Sequence, residues 1–312
     1  MSALGSAWIP AGEPEDVARR PKAFPSNENS AAVCLMPDRT VGRALPPGQA
    51  ARGGRRAAGG GGISVEAVPT TPLTTAAEVL VATGHDAFVR ATLRFELARG
   101  WVGEDATAWI GIDQHERVPY LSALGDPGAV GALLGEIVPE LPPRQRVTVP
   151  RGTSAKLPDW AVLHGIDWDF RWVDAPPAEQ PAEHRVVALE DDAELTAFLK
   201  LASPTASALP GDVGVRHWLG VRAHGSLLAC AADTSSSTGV GHLSSIAVTP
   251  QARGQGLGRA VTAALTRRLL TGGCDIVTLG MYATNTAGRG MYDALGFNDD
   301  HHFTSGPLRV RT

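Results

Sequence analysis

Residues 244–270 read SSIAVTPQARGQGLGRAVTAALTRRLL. The stretch begins as a strand, turns at Pro250, and places Gly254, Gly256 and Gly258 at alternate positions before a long amphipathic run. Leu257, Val261, Ala264, Leu265 and Leu269 fall on one stripe at helical spacing, so the run reads as a helix packed on a sheet with its start fixed. A helix start carries unpaired backbone N–H groups and about half a positive charge. An anion can reach several of those groups only where no Cβ intervenes, which is a use for glycine. A plain strand-to-helix turn is the alternative, but three alternating glycines exceed what a turn needs. Arg253 and Arg259 flank the bend and can add cationic donors.

Two common nucleotide folds do not fit this bend. A dinucleotide-binding turn has the spacing GxGxxG near the start of several βα units. Here the spacing is GxGxG, and only 54 residues follow Gly258. A P-loop needs GxxxxGK[ST], and no lysine follows.

The rest of the chain has the composition of an ordinary globular protein. Of 312 residues, 43% are hydrophobic and 19% charged, and the net charge of -4 gives no basic field to recruit nucleic acid. No apolar run of membrane-spanning length and no secretory leader pattern is present, so the expectation is a cytoplasmic protein with no membrane partner. Cys34, Cys230 and Cys274 are scattered and odd in number, and read as reduced thiols. His301-His302 has no carboxylate or thiol partner at ligand spacing, so no metal is expected.

Residues 1–62 hold ten glycines and seven prolines and are expected to be a disordered tail. A first unit, 64–175, reads as a broken helix over 75–100, strands at 106–113 and 117–125, a helix capped by Asp126 with Pro127 in its first turn, a strand at 144–150, a short helix in 154–165, and a strand at 167–175. The Pro-rich acidic segment 176–183 is a linker. A second unit, 184–312, repeats the order of elements with the glycine bend added, and the pattern suggests a duplication whose first copy lacks the bend. The fold class is α/β (α+β), a mixed twisted sheet flanked by helices.

The bend and the later stretch NTAGRGMYDALGF (285–297) resemble the two signatures of the GNAT superfamily of acyl-CoA-dependent N-acyltransferases. The first signature falls on Arg253, Gly256 and Gly258. The second falls on Asn285, Gly288 in a small-residue position, Met291, Tyr292, Gly296 and Phe297. The resemblance covers 184–312 well, and the first unit resembles at most a degenerate GNAT-like copy.

It implies acetyl-CoA as cosubstrate, with its pyrophosphate on the amides of Arg253, Gly254, Gln255, Gly256, Leu257 and Gly258 and beside Arg259. It also implies a pantetheine arm along Ile246, Ala247 and Val248, Asn285 near the CoA, and a slot where this strand parts from the strand at 275–283. Tyr292 is implied as the acid that protonates the leaving thiolate, and a phenol near pKa 10 would nearly match a thiol. The carboxylate base of many relatives has no counterpart in 241–245; His242 or proton loss through ordered water stands in its place.

Strand alternation puts His242, Ser244 and Ile246 on one face and Leu243, Ser245 and Ala247 on the other. The implied activity is acetyl transfer to a primary amine of a small molecule or peptide by a monomer or homodimer. The alternative is a non-catalytic CoA-binding or regulatory module.

Overall fold

Asp126 shows how locally this chain writes its elements. Its carboxylate accepts the N–H groups of Gly128 and Ala129 at 2.8 and 3.1 Å, and Pro127 occupies the first helical position, where a missing N–H costs nothing. The computed structural model describes residues 70–93, 96–112, 119–141 and 146–310. The tail expected over 1–62 lies outside the described residues.

The first unit runs β1 (Thr71–Leu73), α1 (Ala76–Ala82), α2 (Ala87–Thr92), β2 (Glu96–Val102), β3 (Ala106–Ile112), β4 (Pro119–Gly125), α3 (Pro127–Ile137), β5 (Arg146–Pro150), β6 (Ala161–Leu163) and β7 (Ile166–Val173). The second runs β8 (Val186–Leu189), α4 (Asp192–Ala202), β9 (His217–Ala223), β10 (Ser226–Asp233), β11 (Val240–Val248), α5 (Leu257–Thr271), β12 (Ile276–Tyr282), α6 (Thr286–Ala294) and β13 (Asn298–Val310). The β9–β10 hairpin turns at His224-Gly225, both at positive φ.

Two expectations fail. The helix anticipated over 75–100 stops at Thr92, and its last part is strand β2, paired antiparallel to β3. Tertiary pairing overrides helical propensity there. The short helix anticipated in 154–165 is instead a 3-10 turn, Thr153–Ala155, followed by β6, which pairs with β13.

The strand order is β1-β2-β3-β4-β5-β13-β7-β12-β11-β10-β9-β8. Read from either edge the order of elements is the same. β4 pairs parallel with β5 as β11 does with β12, and the last strand of each unit lies against the fifth strand of the other. β7 therefore borders β12, β13 borders β5, and the two meet antiparallel at the centre. Separate apolar clusters fill the two ends. Val130, Leu133, Leu134 and Ile137 of α3 pack on β3–β5, while Leu257, Val261 and Leu265 of α5 pack on β9–β12.

Ion pairs fill the central seam. Asp169 on β7 is fully buried and contacts Arg151 at 2.6 Å, His302 at 2.9 Å and Arg289. Burial alone would raise the Asp169 carboxyl, but these partners outweigh it and hold it below the usual range. The two histidines expected to lack carboxylate partners in fact have several, some adjacent in the chain and some brought from distant segments. His301 lies between Asp86 at 2.8 Å and Asp300 at 2.6 Å.

Burial opposes charging of His301, yet Asp86 and then Asp300 overcome it and move its pKa above the ordinary value of 6.5. Its stabilising share is therefore complete below pH 6.5 and is lost as pH rises through the elevated folded value. His301→Gln should lower stability by about 2 kcal/mol near pH 6 and by less near pH 9. Thermal unfolding across that range checks this; equal losses at both ends would refute it.

Candidate functional site

The path of β11 is set by one residue. Ser245 has φ of 49°, rare for a residue with a Cβ, and two β11 residues there oppose one on β10 between the pairs Ala232–Ser244 and Cys230–Ala247. Ser245 is held by its hydroxyl, which donates to Ala208 O at 2.8 Å and accepts from Ala208 N–H at 3.0 Å. The bulge reverses the facing expected beyond it. Ile246 joins Leu243 in the cluster under α5, and Ala247 joins Cys230 and Ala232 under α4. The expected grouping of Ile246 with His242 and Ser244 is thus corrected, because strict alternation does not survive an inserted residue.

The bulge also ends the pairing with β12. Parallel pairs run from Val240–Ile276 to Leu243–Leu279 and no further, while β12 continues to Tyr282 against β7. The slot expected between the strands is therefore present.

At the mouth of this slot lies α5. Its N-cap is Gly256, at φ 75°, and no side chain caps it. The first bond back to the cap runs from Ala260 N–H to Gly256 O, so the preceding amides have no helical acceptor. A Cβ added at Gly254 or Gly256 would meet nothing within 4 Å, and both have positive φ. Gly258 differs: its Cβ would come within 3.2 Å of Val248 and 3.3 Å of the Met291 sulfur, so it serves close packing of α5 on β11 and α6. Arg253 and Arg259 are exposed beside the bend, and the Arg253 Nε–H reaches back to Val248 O at 3.4 Å.

These residues wall a cavity of about 440 Å³. It brings together Ile246, Ala247, Val248, Arg253, Gly254, Gly256, Leu257, Gly258, Arg259 and Asn285 from the expected set. Gln255, His242 and Tyr292 are not on its wall. Asn285 caps α6 by accepting Gly288 N–H at 2.9 Å, while its Nδ2, buried, has no partner among the described residues. Ser203, at the end of α4, also lines the cavity with an unpaired buried hydroxyl. Sequence reading missed it, since a lone serine after a helix carries no signal until the strand it faces is known.

His242 is buried on β11 before the bulge. Thr278 donates its hydroxyl to Gly241 O at 2.9 Å, so at 2.8 Å it accepts from His242 Nδ1–H. Tyr292 is fully buried and meets Phe297 edge-on at 5.7 Å. Burial lifts its phenol well above the ordinary value despite the nearby Arg171 charge, so the near match with a thiol does not hold in this state. Arg171, fully buried on β7, bonds Asp293 at 2.6 Å, beside Tyr292 in the chain. Tyr282 lines a separate cavity of about 570 Å³ with Ile166 and Asp167 at the end of β12.

Residues 218–304 match the family model described as FR47-like protein, and this span contains both signatures. The match lies wholly within the second unit. A Drosophila protein of solved structure is 14% identical, with TM-score 0.50, covering 78% of this chain and 98% of that one. A GCN5-related N-acetyltransferase from Sphaerobacter thermophilus is 15% identical, with TM-score 0.48 and coverages of 78% and 96%. One from Kribbella flavida is 18% identical, with TM-score 0.45 and coverages of 75% and 95%. No curated protein matches the chain. No described helix is long and apolar enough to cross a membrane.

The small residue at 288 follows from the cap. A Cβ there would lie 2.4 Å from Asn285 Nδ2. Gly288→Ala should break the cap, costing about 1 kcal/mol, and turn the carboxamide away from the cavity. A melting temperature equal to that of the parent protein would show that the carboxamide is not so confined.

Proposed function

We propose that the chain transfers the acetyl group of acetyl-CoA to a primary amine. The observation that carries this reading is the uncapped start of α5, with two open positive-φ glycines, at the mouth of a slot between parting strands. The residues present suit the cosubstrate. Backbone amides at the positive end of α5, with Arg253 and Arg259, match a diphosphate, and the unpaired Asn285 Nδ2 on the cavity wall matches an amide or thioester oxygen. Bound there, acetyl-CoA supplies an activated carbonyl for attack by a neutral amine.

The chain's own residues then bind, orient and move protons. The resemblance implies the Val248 N–H as the group that steadies charge growing on the carbonyl oxygen. His242 stands buried and off the cavity wall, so it would take up the amine's proton through ordered water, and loss to water directly is the other route. Tyr292 keeps its proton throughout the physiological range, since burial raises it. To serve as acid it must donate to a thiolate that is the weaker base, and this is favourable only if charge near Arg171 offsets the gap. We assign Tyr292 as the acid on the strength of its signature position, and the first unit as a degenerate copy on the shared order of elements.

Calorimetry tests the binding half. Gly256→Val places a branched side chain where phosphate oxygens would lie and should raise the Kd for CoA at least tenfold, roughly 1.4 kcal/mol. Unchanged binding would refute the assignment of the loop. Thiol release from acetyl-CoA with a panel of amines tests the chemistry, and Tyr292→Phe should slow it about a hundredfold without a comparable change in CoA affinity. Tight CoA binding with no release from any amine would instead favour a non-catalytic module.

A further inference from the structure

The cavity has a second polar group for which the family resemblance gives no role. Ser203 is the C-cap of α4 and only 2% exposed, yet its Oγ has no hydrogen-bond partner among the described residues. It shares the 440 Å³ cavity with Ile246 and Ala247. Asn285, 5% exposed, brings its unpaired Nδ2 to the same cavity from α6. A buried polar group without a partner costs stability, and native proteins leave few of them. Two on one cavity, from different helices, point to something that enters and satisfies both.

The helix ends indicate what that is. The start of α5 is the positive end of its dipole, whereas Ser203 sits at the end of α4, which is negative. A phosphate is favoured at the first and disfavoured at the second. A hydroxyl both donates and accepts, so a neutral amide, with a C=O and an N–H, is the group that fits it. Ser203 is also fixed in place. Five residues on, Ala208 is bonded through both its backbone groups to Ser245 at the bulge.

We infer that Ser203 is a further ligand-binding residue, whose hydroxyl bonds an amide of the pantetheine arm from the α4 side of the slot, across from Asn285. This rests on the acyl-CoA reading above.

The test compares CoA with adenosine 3′,5′-bisphosphate, which lacks the arm, by calorimetry on the full chain. Ser203→Ala should raise the Kd for CoA roughly five- to tenfold, the range for one lost hydrogen bond, and leave the bisphosphate unaffected. The same variant should melt no lower than the parent protein, because it removes an unpaired hydroxyl. Unchanged CoA affinity overturns the inference, as does equal weakening of both ligands or a fall in melting temperature, which would mark a structural serine. Failure of the parent protein to bind CoA overturns the acyl-CoA reading itself, and so is distinct from failure of Ser203 alone.

Discussion

Everything at the candidate site depends on β11 and β12 parting after Leu243 and Leu279. A parallel pair has no reason to open unless one partner is bent, and the bend is the bulge at Ser245. A left-handed φ on a serine is an unfavourable backbone state, and it persists here because both hydrogen-bonding capacities of its hydroxyl are met by Ala208. Once the strands separate, the Ile246–Val248 backbone no longer has a β12 partner, and α5 begins at the edge of the opening. The glycine loop, the unpaired carboxamide and the unpaired hydroxyl all face a space that this one distortion creates.

The first unit shows what the same order of elements does without the loop. Between β11 and α5 lie residues 249–256, whereas α3 follows β4 after Asp126 alone. The Asp126 carboxylate already occupies the amides that a diphosphate would need. A protein carboxylate there is the ordinary solution to an exposed helix start. Its absence from α5 is therefore the informative difference between the two halves.

Much of this was legible in the sequence because it is written locally. The cap Asp126 with Pro127 after it and the stripe on α5 are short-range signals, and they mark α3 and α5 directly in the sequence. The helical reading fails over 96–100 because the strand character there comes only from pairing with β3. The facing of Ile246 was misread because a bulge leaves no mark in the side-chain pattern. The role of Gly258 was grouped with Gly254 and Gly256 by spacing alone, though only coordinates separate a glycine that admits a ligand from one that admits a neighbouring helix. Of the partners of His301 and His302, Asp299 and Asp300 stand beside them in the chain, but Asp86 and Asp169 come from distant segments that no spacing rule reaches.

The crossing of β7 and β13 at the centre of the sheet bears on how the chain is assembled. β5 obtains its outer neighbour from β13, the last described strand, more than 140 residues later in the sequence. Until β13 pairs with it, β5 keeps an open strand edge. Such edges invite pairing with other chains. The buried Asp169 and its arginines line the same seam, and their charges discourage a foreign strand from settling in the gap meanwhile. The two units thereby share one continuous sheet, the last strand of each lying against the fifth of the other.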